Sequence, residues 1–359
     1  MNKKRPVVVH LVGVGTIGEP LIGMFTRWRE HFGIDEVTFQ KRTPNPDDLP
    51  KIRELVNKRG AKLCVDSETK KEFEKAGFPV SYETEDALDR ATVVVDCTPK
   101  GVGHKNKQQY YEAFRHNTAG FIAQGSEFGF GKMYAYNVND KALIPGEDQF
   151  LQVVSCNTHT LAALVNTLGR DVNGDINQLE YGRFLLIRRA NDISQDSDFI
   201  PSPQVGKHDD PEFGTHHARD VHHLFKTLGA ELKLFSSALK VNTQYMHSLW
   251  FDIKLMNPVT LSQVVSRLIE NPLIAVTRKR MANRVFSFGR DHGYYGRILS
   301  QAVISLPTLQ VVNHHEVFGF AFTPQDGNSL LSSIAGTLWF IDPATYESKL
   351  DVVEQYCFK

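Results

Sequence analysis

Short apolar runs alternate with amphipathic stretches through the first 155 residues. The runs at 7–12, 36–40, 92–97, 120–124 and 150–154 read as strands. Between them, apolar positions spaced three and four apart predict helices over 17–32, 67–76, 85–90 and 105–115. Such alternation predicts a parallel sheet wrapped by helices. Val93, Val94 and Val95 form a continuous apolar run, as a strand covered on both faces requires. Beyond residue 156 the pattern changes. Longer strands are expected at 179–188, 231–235, 240–255 and 309–322, with helices at 260–270 and 277–288. That mixture predicts an α+β domain with a mixed or antiparallel sheet. Residues 191–214 are polar and rich in Asp, Ser and Pro, the signature of a long loop, and loops of that length are usually functional. The pattern turns helical again at 329–338, a segment expected to pack back on the first domain.

Composition narrows the possibilities. At about 150 residues per domain, 359 residues make roughly two domains. With 41% hydrophobic and 23% charged residues the chain can bury a substantial core. Lys+Arg and Asp+Glu are equal at 41 each, which argues against a dedicated nucleic-acid binder. No apolar run approaches the ~18 residues of a membrane span. The opening MNKKRPVVVHLVGVG imitates a signal peptide, but its apolar run flows into a Gly-rich turn without a cleavage pattern, so it reads as a first strand. Four cysteines, at 64, 97, 156 and 357, lie too far apart for a disulfide framework or a paired zinc motif. A cytoplasmic location is expected.

The first run ends in Gly13-Val14-Gly15-Thr16-Ile17-Gly18, and a helical pattern follows. In a G-x-G-x-x-G turn the first Gly permits the tight bend, the second lets a pyrophosphate approach the backbone, and the third lets the helix pack on the strand. The helix N-terminus then faces the phosphates. The expected fold is therefore α/β: a Rossmann-type dinucleotide-binding domain over 1–155 plus 326–359, and an α+β catalytic domain over 156–325. NAD-specific folds place an acid at the end of the second strand. This chain has Lys41 and Arg42 there, which points to NADP as cofactor, with NAD as the alternative.

A second motif follows the 150–154 run. Cys156 starts a helical pattern, where the dipole stabilises a thiolate. Ser155, Asn157 and Thr158 surround it. Asn157 and Thr158 are placed to cap the helix and hold N–H groups toward a developing oxyanion. A thiolate beside a nicotinamide suits aldehyde oxidation through a thioester. Cys64 and Cys97 read instead as buried small hydrophobes.

Together these features resemble the archaeal-type (class II) glyceraldehyde-3-phosphate dehydrogenases. The carrying segments are GVGTIG (13–18), KRTP (41–44), VVVDCTPKGVGHKNK (93–107), QGSE (124–127), VVSCNTHTL (153–161) and IRRAND (187–192). A looser likeness continues through HHARDV (216–221) and YMHSLWFDIKL (245–255). The resemblance implies Cys156 as nucleophile and His247 as general base, an imidazole expected to titrate near neutrality. It implies Arg188, Arg189, His216 and His217 as phosphate-binding residues. Thr16, Ile17, Thr98, Pro99, Gly101, Gln124, Gly125 and Asn328 would contact the cofactor, Asn328 through the nicotinamide amide. The reaction implied is oxidation of D-glyceraldehyde 3-phosphate with inorganic phosphate to an acyl phosphate, by a homotetramer. His216-His217 and His222-His223 complete no zinc spacing, so no metal is expected.

Two other readings stay open. His159 stands where the family usually has Thr, and 191–214 departs from the family pattern. An enzyme of the same chemistry acting on another phosphorylated aldehyde or a semialdehyde is one alternative. A dinucleotide-binding sensor without turnover is the other.

Overall fold

The computed structural model describes residues 5–125, 127–171, 173–191, 200–324 and 326–358. The chain forms two compact units. The first holds residues 1–132, 144–153 and 332–352, and the second holds 133–143, 154–331 and 353–359.

The first sheet contains β1 (Val8–Val12), β2 (Glu36–Gln40), β3 (Lys62–Val65), β4 (Val80–Glu83), β5 (Val93–Asp96), β6 (Gly120–Gln124), β7 (Lys132–Tyr134) and β8 (Phe150–Val153). Their order is β4-β3-β2-β1-β5-β6-β8-β7. Every pairing from β4 through β8 is parallel. The chain travels outward from β1 to β4, then returns to the other side of β1 as β5. Strand order reverses there, which opens a crevice at the carboxyl ends of β1 and β5. β1 and β5 are buried along their whole length, as expected of strands covered on both faces. The short β3, β4 and β7 carry too few alternating positions to stand out in the sequence.

The helix expected over 17–32 is two helices, Gly18–Arg27 and Arg29–Phe32, because Trp28 leaves the helical region at φ −110°, ψ 24°. The glycine turn before it is built as its chemistry requires. Gly13 has φ +101°. A Cβ on Gly18 would collide with the Gly13 carbonyl oxygen, whereas one on Gly15 would meet nothing within 4 Å.

The second sheet contains β9 (Leu179–Arg188), β10 (Gln204–Val205), β11 (Leu234–Lys240), β12 (His247–Leu255), β13 (Ile274–Thr277), β14 (Ala302–Ser305), β15 (Gln310–Val312) and β16 (Glu316–Thr323). The order is β10-β11-β9-β12-β16-β14-β13, with β15 beside β16. The sheet is mixed: β11 runs parallel to β9 and β13 to β14, while β12 is antiparallel to both β9 and β16. Two expected strands are divided. The 240–255 run ends β11 at Lys240 and restarts as β12 at His247, so the chain can reverse across β9. The 309–322 run is a hairpin, because Asn313 and His314 adopt left-handed φ values of 50° and 62° between β15 and β16. Residues 192–199 of the expected 191–214 loop lie outside the described residues.

The helix Cys156–Leu168 lies at the heart of the second unit. Eleven of its residues, among them Leu161, Leu164 and Val165, are buried. A helix apolar on all sides must be enclosed on all sides. The sheet and the helices His216–Lys226 and Leu261–Glu270 pack against it. The latter helix begins with a capping box, Thr260 and Gln263 exchanging side-chain and backbone bonds. The helix Gly327–Ile341 begins in the second unit and continues into the first.

Two buried imidazoles belong to these cores. His10 on β1 bonds Thr38 Oγ1 at 2.7 Å, and burial pulls its pKa down to about 3. His159 donates from Nδ1 to the Ser155 carbonyl at 3.0 Å and is lowered by burial to about 4.

Two outcomes follow. Gly18→Ala forces backbone apart and should cost about 1–3 kcal/mol in denaturant unfolding, whereas Gly15→Ala should stay within about 0.5 kcal/mol of the parent. Equal losses at both positions would contradict the packing. His10 and His159 stay neutral in the fold but protonate when unfolded below about pH 6.5. Their stabilisation is complete above that pH and is lost as pH falls toward 4. The unfolding free energy should drop by about 3 kcal/mol per pH unit between roughly pH 6 and 4.5, from these two groups alone. His10→Asn should remove about half of that slope.

Candidate active site

In the first unit the residues expected to hold a dinucleotide surround the carboxyl ends of β1, β2, β5 and β6. Lys41 and Arg42 differ in their surroundings. Lys41 Nζ is paired with Asp48 at 2.6 Å, and the Lys41 and Lys51 ammonium groups hold the Asp48 carboxyl below its usual value against its own burial. Asp48, on a short helical turn seven residues later, thus neutralises one of the two expected cations. Arg42 bonds a neutral partner, Asn106 Oδ1, at 2.6 Å. Asn106 in turn donates to Asp96 Oδ2 at 2.7 Å, beside the Tyr111 hydroxyl at 2.6 Å. Asp96 Oδ1 accepts from Thr98 N at 2.9 Å and from the Thr98 hydroxyl. This buried carboxylate therefore shapes the turn from Thr98 to Gly101 after β5, with Pro99 inside it and Gly101 at φ +81°.

A residue without an assigned role in the sequence reading braces the same turn. Glu127 is 2% exposed and accepts from Gly101 N and, at 3.2 Å, from His104 N. Its only sequence signal was its place in the QGSE segment. At the end of β6, Gln124 donates to Ser333 Oγ at 2.7 Å, and Gly125 turns with φ +62°. Thr16 and Ile17 stand at the entry to the helix Gly18–Arg27, with Ile17 as its N-cap. The left-handed Gly13 and the open space over Gly15 suit the close approach of a dinucleotide, and among the described residues no carboxylate pairs with Arg42.

In the second unit Cys156 is the first residue of its helix, and the N-cap Ser155 accepts the Thr158 N–H at 3.3 Å. Burial pushes Cys64 and Cys357 up to about 12 and Cys97 well above its ordinary value. No disulfide joins any of the four.

His247 opens β12 directly across from Thr323 of β16. The Thr323 hydroxyl donates to Asn157 Oδ1 at 3.2 Å, so the strand pair carrying His247 is tied to the residue after Cys156. The imidazole does not match the near-neutral expectation. It is 8% exposed, and its pKa falls to about 3 through burial first, then through the charges of Arg189 and Arg188. Arg189 N donates to its Nδ1 at 3.0 Å. A backbone N–H can only donate, so the neutral ring carries its proton on Nε2.

The two arginines are placed unequally. Arg189 is 4% exposed, and its Nε donates to Asn191 O at 2.8 Å. Arg188 is exposed at the end of β9. His216 and His217 begin the helix His216–Lys226, their rings 3.9 Å apart. Burial first, then His216, Arg188, His247 and Arg219, press His217 well below its ordinary value. Its buried Nδ1 has no hydrogen-bond partner. The sequence thus scattered over 60 residues a set of groups that the fold gathers: His247, Arg188, His217 and, unanticipated, Arg219. The N-terminus of the helix His216–Lys226 belongs to this group, and Arg219 is itself ion-paired with the buried Asp220 at 2.8 Å.

Asn328 is placed differently from its expected cofactor role. It is fully buried, and Nδ2 donates to Cys156 O at 2.9 Å and Gln301 O at 3.1 Å. Both Nδ2 protons are thereby engaged within the protein. Among the described residues no group of three or more His, Cys, Asp or Glu is arranged to hold a metal ion, and no helix is long and apolar enough to cross a membrane.

No protein-family profile matches the chain. Curated relatives do. It is 28% identical over 323 residues to a glyceraldehyde-3-phosphate dehydrogenase of Metallosphaera sedula, covering 87% of this chain and 86% of that one. The namesake of Saccharolobus islandicus is 27% identical over 278 residues, 75% of this chain and 73% of its own. That of Saccharolobus solfataricus is 26% identical over 275 residues, 75% and 72% of the two chains. These relatives share one name and match three quarters or more of the chain, and they support the archaeal-type glyceraldehyde-3-phosphate dehydrogenase family for it, the family that its motifs resemble.

Proposed function

We propose that this protein is a phosphorylating glyceraldehyde-3-phosphate dehydrogenase that works through a Cys156 thioester. The observation that carries this reading is the position of Cys156 at the first turn of a buried helix, in the same unit as Arg188, His217 and His247. A bound nicotinamide dinucleotide would supply the hydride acceptor, held by Gly13, Gly15, Gly18 and Arg42.

The Cys156 thiolate attacks C1 of the aldehyde, forming a C–S bond and an oxyanion. Helix N–H groups stabilise that charge. His247, expected as the base, is better suited to donate from Nε2, because its Nδ1 is occupied by the Arg189 N–H. The oxyanion needs no base: as hydride leaves C1, the C–O bond becomes a carbonyl and the thioester remains. A phosphate oxygen then attacks the thioester, the thiolate departs, and the phosphate's proton is released. Arg188, exposed at the strand end, takes the phosphate, while Arg189 holds the backbone at Asn191. Of the two cations after β2, Arg42 is the one placed for a 2′-phosphate, which favours NADP. Four cysteines without a disulfide agree with a reducing, cytoplasmic setting.

A homotetramer also belongs to this proposal. One face of the second sheet carries Leu185, Trp250 and Phe320 in register across β9, β12 and β16, with Phe320 38% exposed. A second copy of the chain would cover it. Trp250→Asp should then lower the mass seen by sedimentation, and a parent that sediments as a monomer would refute assembly.

The purified protein should reduce NADP with glyceraldehyde 3-phosphate only when phosphate is added, and Cys156→Ser should abolish turnover. Arg188→Leu should raise the phosphate KM about 10- to 100-fold, the scale of a lost charged hydrogen bond. Arg42→Ala should raise the KM for NADP much more than that for NAD. Tight dinucleotide binding without turnover would end the substrate assignment, and a panel of other aldehydes would follow.

A further inference from the structure

A buried polar clamp lies beneath the nucleophile. Asn328 is fully buried at the start of the helix Gly327–Ile341. Its Nδ2 reaches two carbonyls, Cys156 O at 2.9 Å and Gln301 O at 3.1 Å, while its Oδ1 accepts from Ser329 N at 2.9 Å. Thr160, also fully buried, has its one hydroxyl proton within reach of the same two carbonyls, at 3.4 and 3.3 Å, and of Thr323 Oγ1 at 3.2 Å. Thr323 completes the set by bonding Asn157 Oδ1 at 3.2 Å. Gly327 sets this geometry. A Cβ there would overlap the Ile298 carbonyl oxygen, so only glycine lets the chain bring Asn328 so close.

A carbonyl oxygen has two lone pairs, and a helix uses one. Asn328 fills the second on Cys156 and so fixes the peptide plane between Cys156 and Asn157. The other end of that plane is the Asn157 N–H, which stands in the first turn, where the helix offers no acceptor of its own. Hydrogen bonding at the C=O end also polarises the N–H end.

We propose that Asn328 is a positioning residue for the nucleophile: through the Cys156 carbonyl it holds the 156–157 peptide so that the Asn157 N–H and the Cys156 sulfur face the reacting carbonyl together. This rests on Cys156 being the nucleophile. Asn328 touches neither substrate nor cofactor in this role.

Iodoacetamide alkylation of Cys156, corrected with Cys156→Ser, reads the clamp without any aldehyde. Asn328→Ala should alkylate about tenfold more slowly than the parent. Its kcat should fall 10- to 100-fold, with the aldehyde KM within twofold. Asn328→Asp should be as slow at neutral pH, where its carboxylate cannot donate. It should recover relative to Asn328→Ala as pH falls and the acid gains a proton to offer Cys156 O. A purely structural asparagine would give no such recovery. If Asn328→Ala does not fold, Asn328→Ser replaces it. Parental alkylation and kcat in a folded variant would overturn the assignment, as would losses in Asn328→Asp with no acid recovery. If the parent shows no aldehyde turnover but the alkylation differences stand, the substrate reading falls and the clamp remains.

Discussion

The second unit depends on one constraint: a helix enclosed on nearly every side that begins at a cysteine. Eleven residues of Cys156–Leu168 are buried, so neither its axis nor its first turn can shift without disturbing the sheet beneath. Burial converts an ordinary helix N-terminus into a fixed array of N–H donors. The capping bonds of Ser155, the Thr323–Asn157 bond and the amide of Asn328 then remove the remaining freedom of that turn. The placement of the Cys156 residue is thus a product of core packing.

The same burial sets the electrostatics. His247 and His217 are withdrawn from water beside arginines, and both effects oppose a positive imidazole. Two neutral rings stand beside Arg188 and Arg219, the latter ion-paired with the buried Asp220. The Arg189 N–H on Nδ1 leaves the proton of the neutral His247 ring on Nε2.

The first unit solves a different problem, since it must offer backbone to a ligand rather than a side chain. Its glycine turn leaves space over Gly15 while Gly18 lies against the Gly13 carbonyl. Two buried carboxylates, Asp96 and Glu127, stiffen the facing turn from Thr98 to Gly101 by accepting its N–H groups. The two cations after β2 are separated by their partners: Asp48 occupies Lys41, and Arg42 is left with a neutral amide.

The sequence alone carried whatever depends on near neighbours along the chain. Alternating apolar runs marked the parallel sheet, and the glycine spacing marked the turn after β1. Cys156 was recognisable because strand, cap and helix follow one another directly. Boundaries were lost where short edge strands such as β4 carry few alternating positions, and where the left-handed Asn313 and His314 turn one apparent strand into a hairpin. Only the tertiary structure decided the partners. Asp48 on Lys41, Arg189 N on His247, Glu127 under Gly101 and Asn328 on Cys156 O all join residues whose sequence positions do not single out that partner. Hydrogen bonds and charges act over a few ångströms of space, and residues 156 and 328 become neighbours only when the core that surrounds them has formed.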